Sequence, residues 1–166
     1  MRIDAHRTVT ISPLTSRELN QLYVIRTELD SLAAGLAASA ALDDELTTIA
    51  ELARQEIVAD PVVQLERNRA FHRAVYSASH NESLVHLLDQ LWDRTDRYRL
   101  ILVREELVER PVPLQEHIDI ADAIVARRVE EAARLTRDHI ARSRIRIARS
   151  LAMTEFGNAS DAGGKA

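Results

Sequence analysis

His117-Ile-Asp-Ile-Ala-Asp-Ala-Ile-Val-Ala-Arg-Arg-Val-Glu-Glu-Ala-Ala-Arg-Leu-Thr-Arg-Asp-His139 places two histidines 22 residues apart. In one unbroken helix, at about 1.5 Å per residue, they would stand about 33 Å apart and share nothing. A fold back near Arg128 leaves each histidine 11 residues from the bend, about three helical turns. An antiparallel hairpin then brings both rings to one height, facing each other. The spacing therefore predicts a helical hairpin as well as a shared chemistry.

Outward from that hairpin the chain reads as helix. Thr15-Ser-Arg-Glu18 is a capping box. It opens a stripe of Leu19, Leu22, Arg26, Leu29, Ala33 and Leu36 that runs to about Ala40. A second helix is predicted from Asp43 or Asp44 to Val58, with acidic residues in its first turn. Asp60-Pro61 supplies a cap and a proline at the first helical position, starting a third helix to about Ser79. Asn81 caps a fourth, whose stripe of Leu84, Leu88, Leu91, Thr95 and Tyr98 extends to Arg104 or beyond. Arg110-Pro-Val-Pro113 breaks the chain. A fifth helix follows to about Ala126, and a sixth from Val129 to about Thr154. Residues 1–14 read as an extended lead-in or linker remnant, 15–154 as one helical domain and 155–166 as a disordered tail. The expected fold class is all-α: an antiparallel bundle of about six helices around a metal and effector cavity.

Composition agrees and narrows the chemistry. The 166 residues suit one domain, with 46% hydrophobic and 29% charged side chains. Only four glycines and four prolines leave little turn chemistry for β-hairpins. A net charge of −4 gives no general attraction to nucleic acid or anionic lipid. The absence of cysteine excludes disulfides and thiolate metal sites, so a metal would take imidazole, carboxylate or carbonyl ligands. No apolar run has the length of a membrane span and no secretory leader follows Met1, which makes the cytoplasm the default location.

Asn68 and His72 stand four residues apart on one helix face, shared with Leu65, Val75 and Tyr76. His117 leads Ile120, Ala121 and Ile124, and His139 follows Ala132 and Leu135, so both lie on apolar stripes. A lone histidine on such a stripe is ordinarily a hydrogen-bonded core residue. Three from three helices suit a divalent ion with open coordination positions, to which Asn68 could add a carbonyl oxygen. No ligand in that set is anionic, so the site would attract a carboxylate. His6, His80 and His86 fall outside the pattern.

These residues resemble the C-terminal effector-binding domain, the FCD domain, of FadR-type regulators in the GntR superfamily. Asn68, His72, His117 and His139 match the family's ligand positions in order and spacing. Leu22-Tyr-Val-Ile-Arg26, Phe71-His-Arg-Ala-Val-Tyr-Ser-Ala-Ser-His-Asn81 and Glu116-His117 match its surrounding text, over about residues 15 to 152. The resemblance implies a helical bundle enclosing zinc, or alternatively nickel or manganese, beside a small organic acid. It also implies a regulator whose DNA affinity is set through an N-terminal winged helix-turn-helix domain, often as a homodimer. That domain is not found here, so no direct DNA binding is expected from this chain alone. The chain departs from the family pattern twice: Asn68 stands where aspartate is commoner, and Ala126-Arg-Arg-Val129 lacks the glycine often found at the hairpin.

Arg26 interrupts an apolar stripe, and a buried guanidinium requires a partner. Either a carboxylate on another helix or the carboxylate of an effector satisfies it, and the resemblance favours the effector. Tyr98 and Arg99 are further candidates for the cavity. The arginines of the last helix, Arg134, Arg137, Arg142, Arg144, Arg146 and Arg149, spread over more than one face without interleaved aromatics, as a solvated surface does. The leading reading is metal-assisted sensing of a small carboxylate, without catalysis. A metal-dependent hydrolase is the rival, opposed by the lack of an HExxH word, and a structural helical module with core histidines is the third.

Overall fold

Side chains at the helix boundaries decide where each element begins in the computed structural model, which describes residues 15–109 and 113–162. Six helices account for them: α1 (Ser16–Ala40), α2 (Asp43–Ala53), α3 (Pro61–Ser77), α4 (Glu82–Glu109), α5 (Pro113–Val125) and α6 (Val129–Ala162). No strand occurs among the described residues. The lead-in of residues 1–14 and the break at 110–112 lie outside them, as do residues 163–166.

Thr15 accepts from the Glu18 backbone N–H at 3.2 Å, but only half of the expected capping box forms. The Glu18 carboxylate turns instead to Arg97 and to the Tyr98 hydroxyl, at 2.7 and 2.8 Å. Tyr98 takes over the missing half by accepting from the Thr15 N–H at 3.2 Å. Asp60 accepts from Val62 and Val63, and Asn81 from Leu84, as their cap positions predict. In α2 the carboxylate of Glu45 reaches back to the N–H of Leu42 at 2.8 Å.

Two boundaries differ from expectation. α2 ends at Ala53 rather than Val58, because side chains of α3 claim the backbone beyond it. Arg67 donates to the Glu56 carbonyl at 2.5 Å, and Gln64 accepts from the Val58 N–H at 3.1 Å. Those bonds hold the segment extended into Asp60-Pro61, where the proline disfavours helix in the residue before it. α6 continues past Thr154 to Ala162, so residues 155–162 are helical where a tail was expected.

α1 packs most extensively on α6. Gly35 shows how close they come: a Cβ there would stand 3.5 Å from that of Ala133, with Val129 next. Buried apolar residues fall into two clusters. One gathers Ala33, Ala37, Phe71, Val75, Leu88, Trp92, Ile120 and Ile124, and the other Leu19, Leu22, Tyr23, Tyr98, Ile140 and Ile147. Between them along α1, α4 and α6 lies a buried polar layer holding Arg26, Asp30, Thr95, Arg99, Thr136 and His139. The order along each helix places the layer inside the bundle: Tyr23, Arg26, Asp30, Ala33 on α1, and Trp92, Thr95, Tyr98 on α4.

The α5–α6 turn forms without glycine. Arg127 adopts φ 57°, a left-handed conformation unfavourable for a residue with a Cβ. Arg128 N–H donates to the Ala123 carbonyl and Arg127 N–H to that of Ile124, both at 2.9 Å, closing a Schellman turn. The arginine has a use there. Its guanidinium donates to the Ala41 carbonyl at 2.6 Å and the Ala38 carbonyl at 3.4 Å, capping the C-terminal end of α1, where positive charge is favoured. Arg127→Ala keeps the backbone strain and removes the cap. A loss of about 1 kcal/mol in urea denaturation is expected, and an unchanged midpoint would show that the cap contributes nothing.

Candidate metal centre

Phe71 and His72 on α3, His117 on α5 and His139 on α6 come together where the hairpin meets the third helix. One ring nitrogen from each of His72, His117 and His139 lies within 4.8 Å of the other two, and all three residues are buried. The His117 and His139 ring centroids are 4.9 Å apart, and each is 5.2 Å from that of His72. The antiparallel geometry required by the 22-residue spacing is therefore present. Phe71 stacks on His117 at 4.4 Å, and Trp92 leans on His72 at 5.3 Å.

The Nε2 atoms of all three rings are buried without a hydrogen-bond partner. A buried polar atom left unpaired costs about 1–3 kcal/mol, and three in one place need an explanation. Burial, together with the charges of the neighbouring rings and of Arg99, pushes the His72 and His117 pKa values well below 6.5. Burial lowers that of His139 too, although the Glu116 carboxylate opposes the shift. Neutral imidazoles with free Nε2 lone pairs are the form that binds a divalent ion. The donor set fits a metal such as zinc.

Glu116, absent from the expected site residues, orients the third ring. Its carboxylate bonds Nδ1 of His139 at 2.6 Å, so Nε2 faces the other two imidazoles. Arg142 at 2.7 Å and Arg146 at 3.5 Å hold the same carboxylate from α6. Burial would raise the Glu116 pKa, but His139, Arg146 and Arg142 together hold it at about 2. A carboxylate behind a ligating histidine fixes its tautomer and raises its basicity. The sequence did carry a signal for this pairing. A hairpin that sets position 117 opposite 139 also brings 116 near it, and arginines three and seven residues after His139 mark where an anion sits.

The other expected residues divide. Asn68 is buried one turn before His72, but its Oδ1 accepts a hydrogen bond from Nη2 of Arg99. Arg26 is fully buried, and its partner comes from its own helix: Asp30 binds it at 3.1 and 3.4 Å, four residues on. Thr95 takes its Nη1 at 3.2 Å, and the Trp92 ring lies 4.7 Å from its guanidinium. Asp30 also accepts from the Tyr76 hydroxyl, which in turn accepts from the Trp92 indole N–H at 3.0 Å. Arg26 is thus held inside a closed network. Tyr98 stands apart from the histidines, its hydroxyl engaged with Thr15 and Glu18.

Arg99 differs from Arg26. It is 2% exposed, and its Nε and Nη1 have no hydrogen-bond partner. Its guanidinium lies 4.2 Å from the Trp92 ring. Burial lowers its pKa, Arg26 adds to the shift, and Tyr23, Tyr76 and Asp30 do not reverse it. Away from the site, His80 pairs with Glu45 at 3.1 Å and His86 with Gln90 at 2.8 Å on the surface. Arg134 and Arg137 form exposed pairs with Asp138 and Glu28, as a solvated face does.

Two outcomes follow from this geometry. Glu116→Gln removes the charge behind His139, and zinc affinity measured by competition with a chromophoric chelator should fall about 10- to 100-fold. Unchanged affinity would show that Glu116 does not support the ligand. The metal-free protein should also lose stability on mild acidification. The unfolded chain takes up protons on these histidines near pH 6.5, while the folded core resists them, so stability declines as pH falls below about 6.5. The contribution of Glu116 is retained in that window, being lost only below about pH 4.5 on the way to about 2. Urea midpoints at pH 7.5 and 5.5 with chelator present test this, and equal midpoints would contradict it.

No curated protein matches the sequence. The fold is similar to that of a transcriptional regulator, a GntR family member, from Pseudomonas syringae pv. tomato str. DC3000. The TM-score is 0.76 at 22% identity, over 89% of this chain and 62% of that one, so the likeness concerns the fold. The chain spans less than two thirds of that regulator's length. No helix among the described residues is long and apolar enough to cross a membrane. The FCD domain family model matches residues 21–142, and the chain belongs to the FCD domain family.

Proposed function

We propose that this domain senses a small organic acid through a divalent metal ion held by His72, His117 and His139. The observation that carries the reading is the convergence of three buried, unpartnered Nε2 atoms, with the buried Arg99 guanidinium nearby whose Nε and Nη1 also lack partners. Zinc suits three neutral imidazoles best, with nickel and manganese as alternatives. A bound ion supplies Lewis acidity and open coordination positions for an oxygen ligand. Arg99 holds the acid in place by donating a free guanidinium N–H to a carboxylate. Asn68 positions Arg99 from the side, and Arg26 stabilises the layer beneath through Asp30. In a complete regulator, ligand binding here would alter the affinity of an attached DNA-binding domain, within a homodimer.

The hydrolase reading draws less support. Among the described residues, the carboxylate bonded to the histidine set is Glu116, which lies behind His139 on the Nδ1 side and is locked by two arginines. A general base would have to reach water on the Nε2 side.

Metal analysis of protein purified without a nickel column tests the proposal, followed by thermal shift against a panel of carboxylic acids with and without chelator. About one equivalent of metal, and stabilisation by an acid that disappears with chelator, are expected. A metal-free protein that takes up neither zinc nor nickel and responds to no acid would overturn it.

A further inference from the structure

The three imidazoles are not held in the same way. His139 has the Glu116 carboxylate at its Nδ1, so a hydrogen bond fixes its ring. Among the described residues no hydrogen-bond partner serves His72 or His117 in this way. Their planes have to be set by packing, and Phe71 touches both. Its ring is stacked on that of His117, with 4.4 Å between centroids and 27° between planes. It meets His72 edge-on, at 5.3 Å and 70°. The planes of His72 and His117 accordingly stand at 89° to each other. His72 has a second support in Trp92, at 5.3 Å. For His117 the remaining ring neighbours among the described residues are the other two histidines. Phe71 itself is 1% exposed and closed in by the apolar cluster that includes Ile120 and Ile124 of α5.

We infer that Phe71 is a positioning residue of the metal centre: its aryl face fixes the plane of His117, in place of the hydrogen bond that His139 receives from Glu116. The inference rests on the metal reading above and deepens it. An imidazole lone pair lies in the plane of its ring, so a ligand is aimed by fixing that plane. A hydrogen bond to the other ring nitrogen is the usual means. Stacked and edge-to-face contacts between rings are also orienting, and Phe71 makes one of each. Chain order makes the double contact possible. Residues 71 and 72 project about 100° apart around α3, so one helix presents a ligand and, beside it, the support for the ligand of α5. An aliphatic side chain of similar bulk fills the same space without a flat face, and leaves His117 free to rock about its Cβ–Cγ bond. The ligands are thus oriented by two means, a charge behind His139 and an aryl face on His117.

The test compares Phe71→Leu and Phe71→Met, which remove the aryl face and keep an apolar side chain, with Ile49→Val, which loosens the same core from α2, a helix that carries none of the ligands. Zinc affinity is read by competition with a chromophoric chelator, and ligand orientation by the visible absorption of the cobalt-loaded chain. Both Phe71 variants should bind zinc about tenfold more weakly and show shifted cobalt bands, while Ile49→Val keeps the bands of the unaltered chain. Helical circular dichroism establishes that each variant is folded, and if Phe71→Leu is not, Phe71→Met with its longer side chain carries the comparison. Cobalt bands that stay in place without the aryl face would overturn the inference whatever happens to the affinity, because weaker binding alone is what general destabilisation gives. Bands that move equally in Ile49→Val would overturn it too. An unaltered chain that takes up neither zinc nor cobalt defeats the metal reading itself.

Discussion

A guanidinium group placed in a low-dielectric interior demands either an anion or a dense set of acceptors, and this bundle buries two of them in one layer. Arg26 is answered from within. Asp30 lies one turn along the same helix, Thr95 reaches across from α4, and Tyr76 and Trp92 close the ring of hydrogen bonds around the carboxylate. Those contacts tie α1, α3 and α4 together at mid-height, between the two apolar clusters. Arg99 shares the Trp92 ring but receives only an amide oxygen. The fold itself satisfies the first of these arginines and leaves the second with two unpaired donors.

The histidines obey a related constraint. An imidazole can be buried neutral at modest expense, but its second nitrogen still requires a partner. His139 meets that requirement on one side with Glu116, itself held by Arg142 and Arg146, so α5 and α6 are linked by charge as well as by apolar packing. On the other side its Nε2, like those of His72 and His117, meets neither protein donor nor acceptor. The bundle keeps those three atoms together although each would be better satisfied at the surface. A ligand bound to those three atoms would favour one packing of α3, α5 and α6.

Much of this was legible before any coordinates. The 22-residue interval requires a hairpin for its two histidines to meet, and the turn forms at Arg127-Arg128 as the midpoint of that interval suggests. Caps at Thr15, Asp60 and Asn81 follow from short-range rules, because a side-chain oxygen immediately before a helix is within reach of the free N–H groups two and three residues on. The end of α2 was not legible, since Gln64 and Arg67 from the next helix decide it. Nor was the fate of Glu18, which a local box motif assigns to Thr15 but whose charge Arg97 attracts from a helix distant in sequence.

Periodicity and spacing by themselves established an all-α bundle, the inward faces and the three imidazoles that share a centre, because helical repeat and hairpin symmetry depend only on positions along the chain. The tertiary structure decided the pairings. Arg26 met Asp30 rather than an external acid, Asn68 met Arg99 rather than the histidines, and Glu116 came to stand behind His139. Side chains on one helix point toward several neighbours, and which of them receives a given charge depends on how the helices are rotated against each other. That rotation is set by apolar packing across the whole bundle, from Gly35 against Ala133 to Trp92 beneath both arginines, and no local stretch of sequence specifies it.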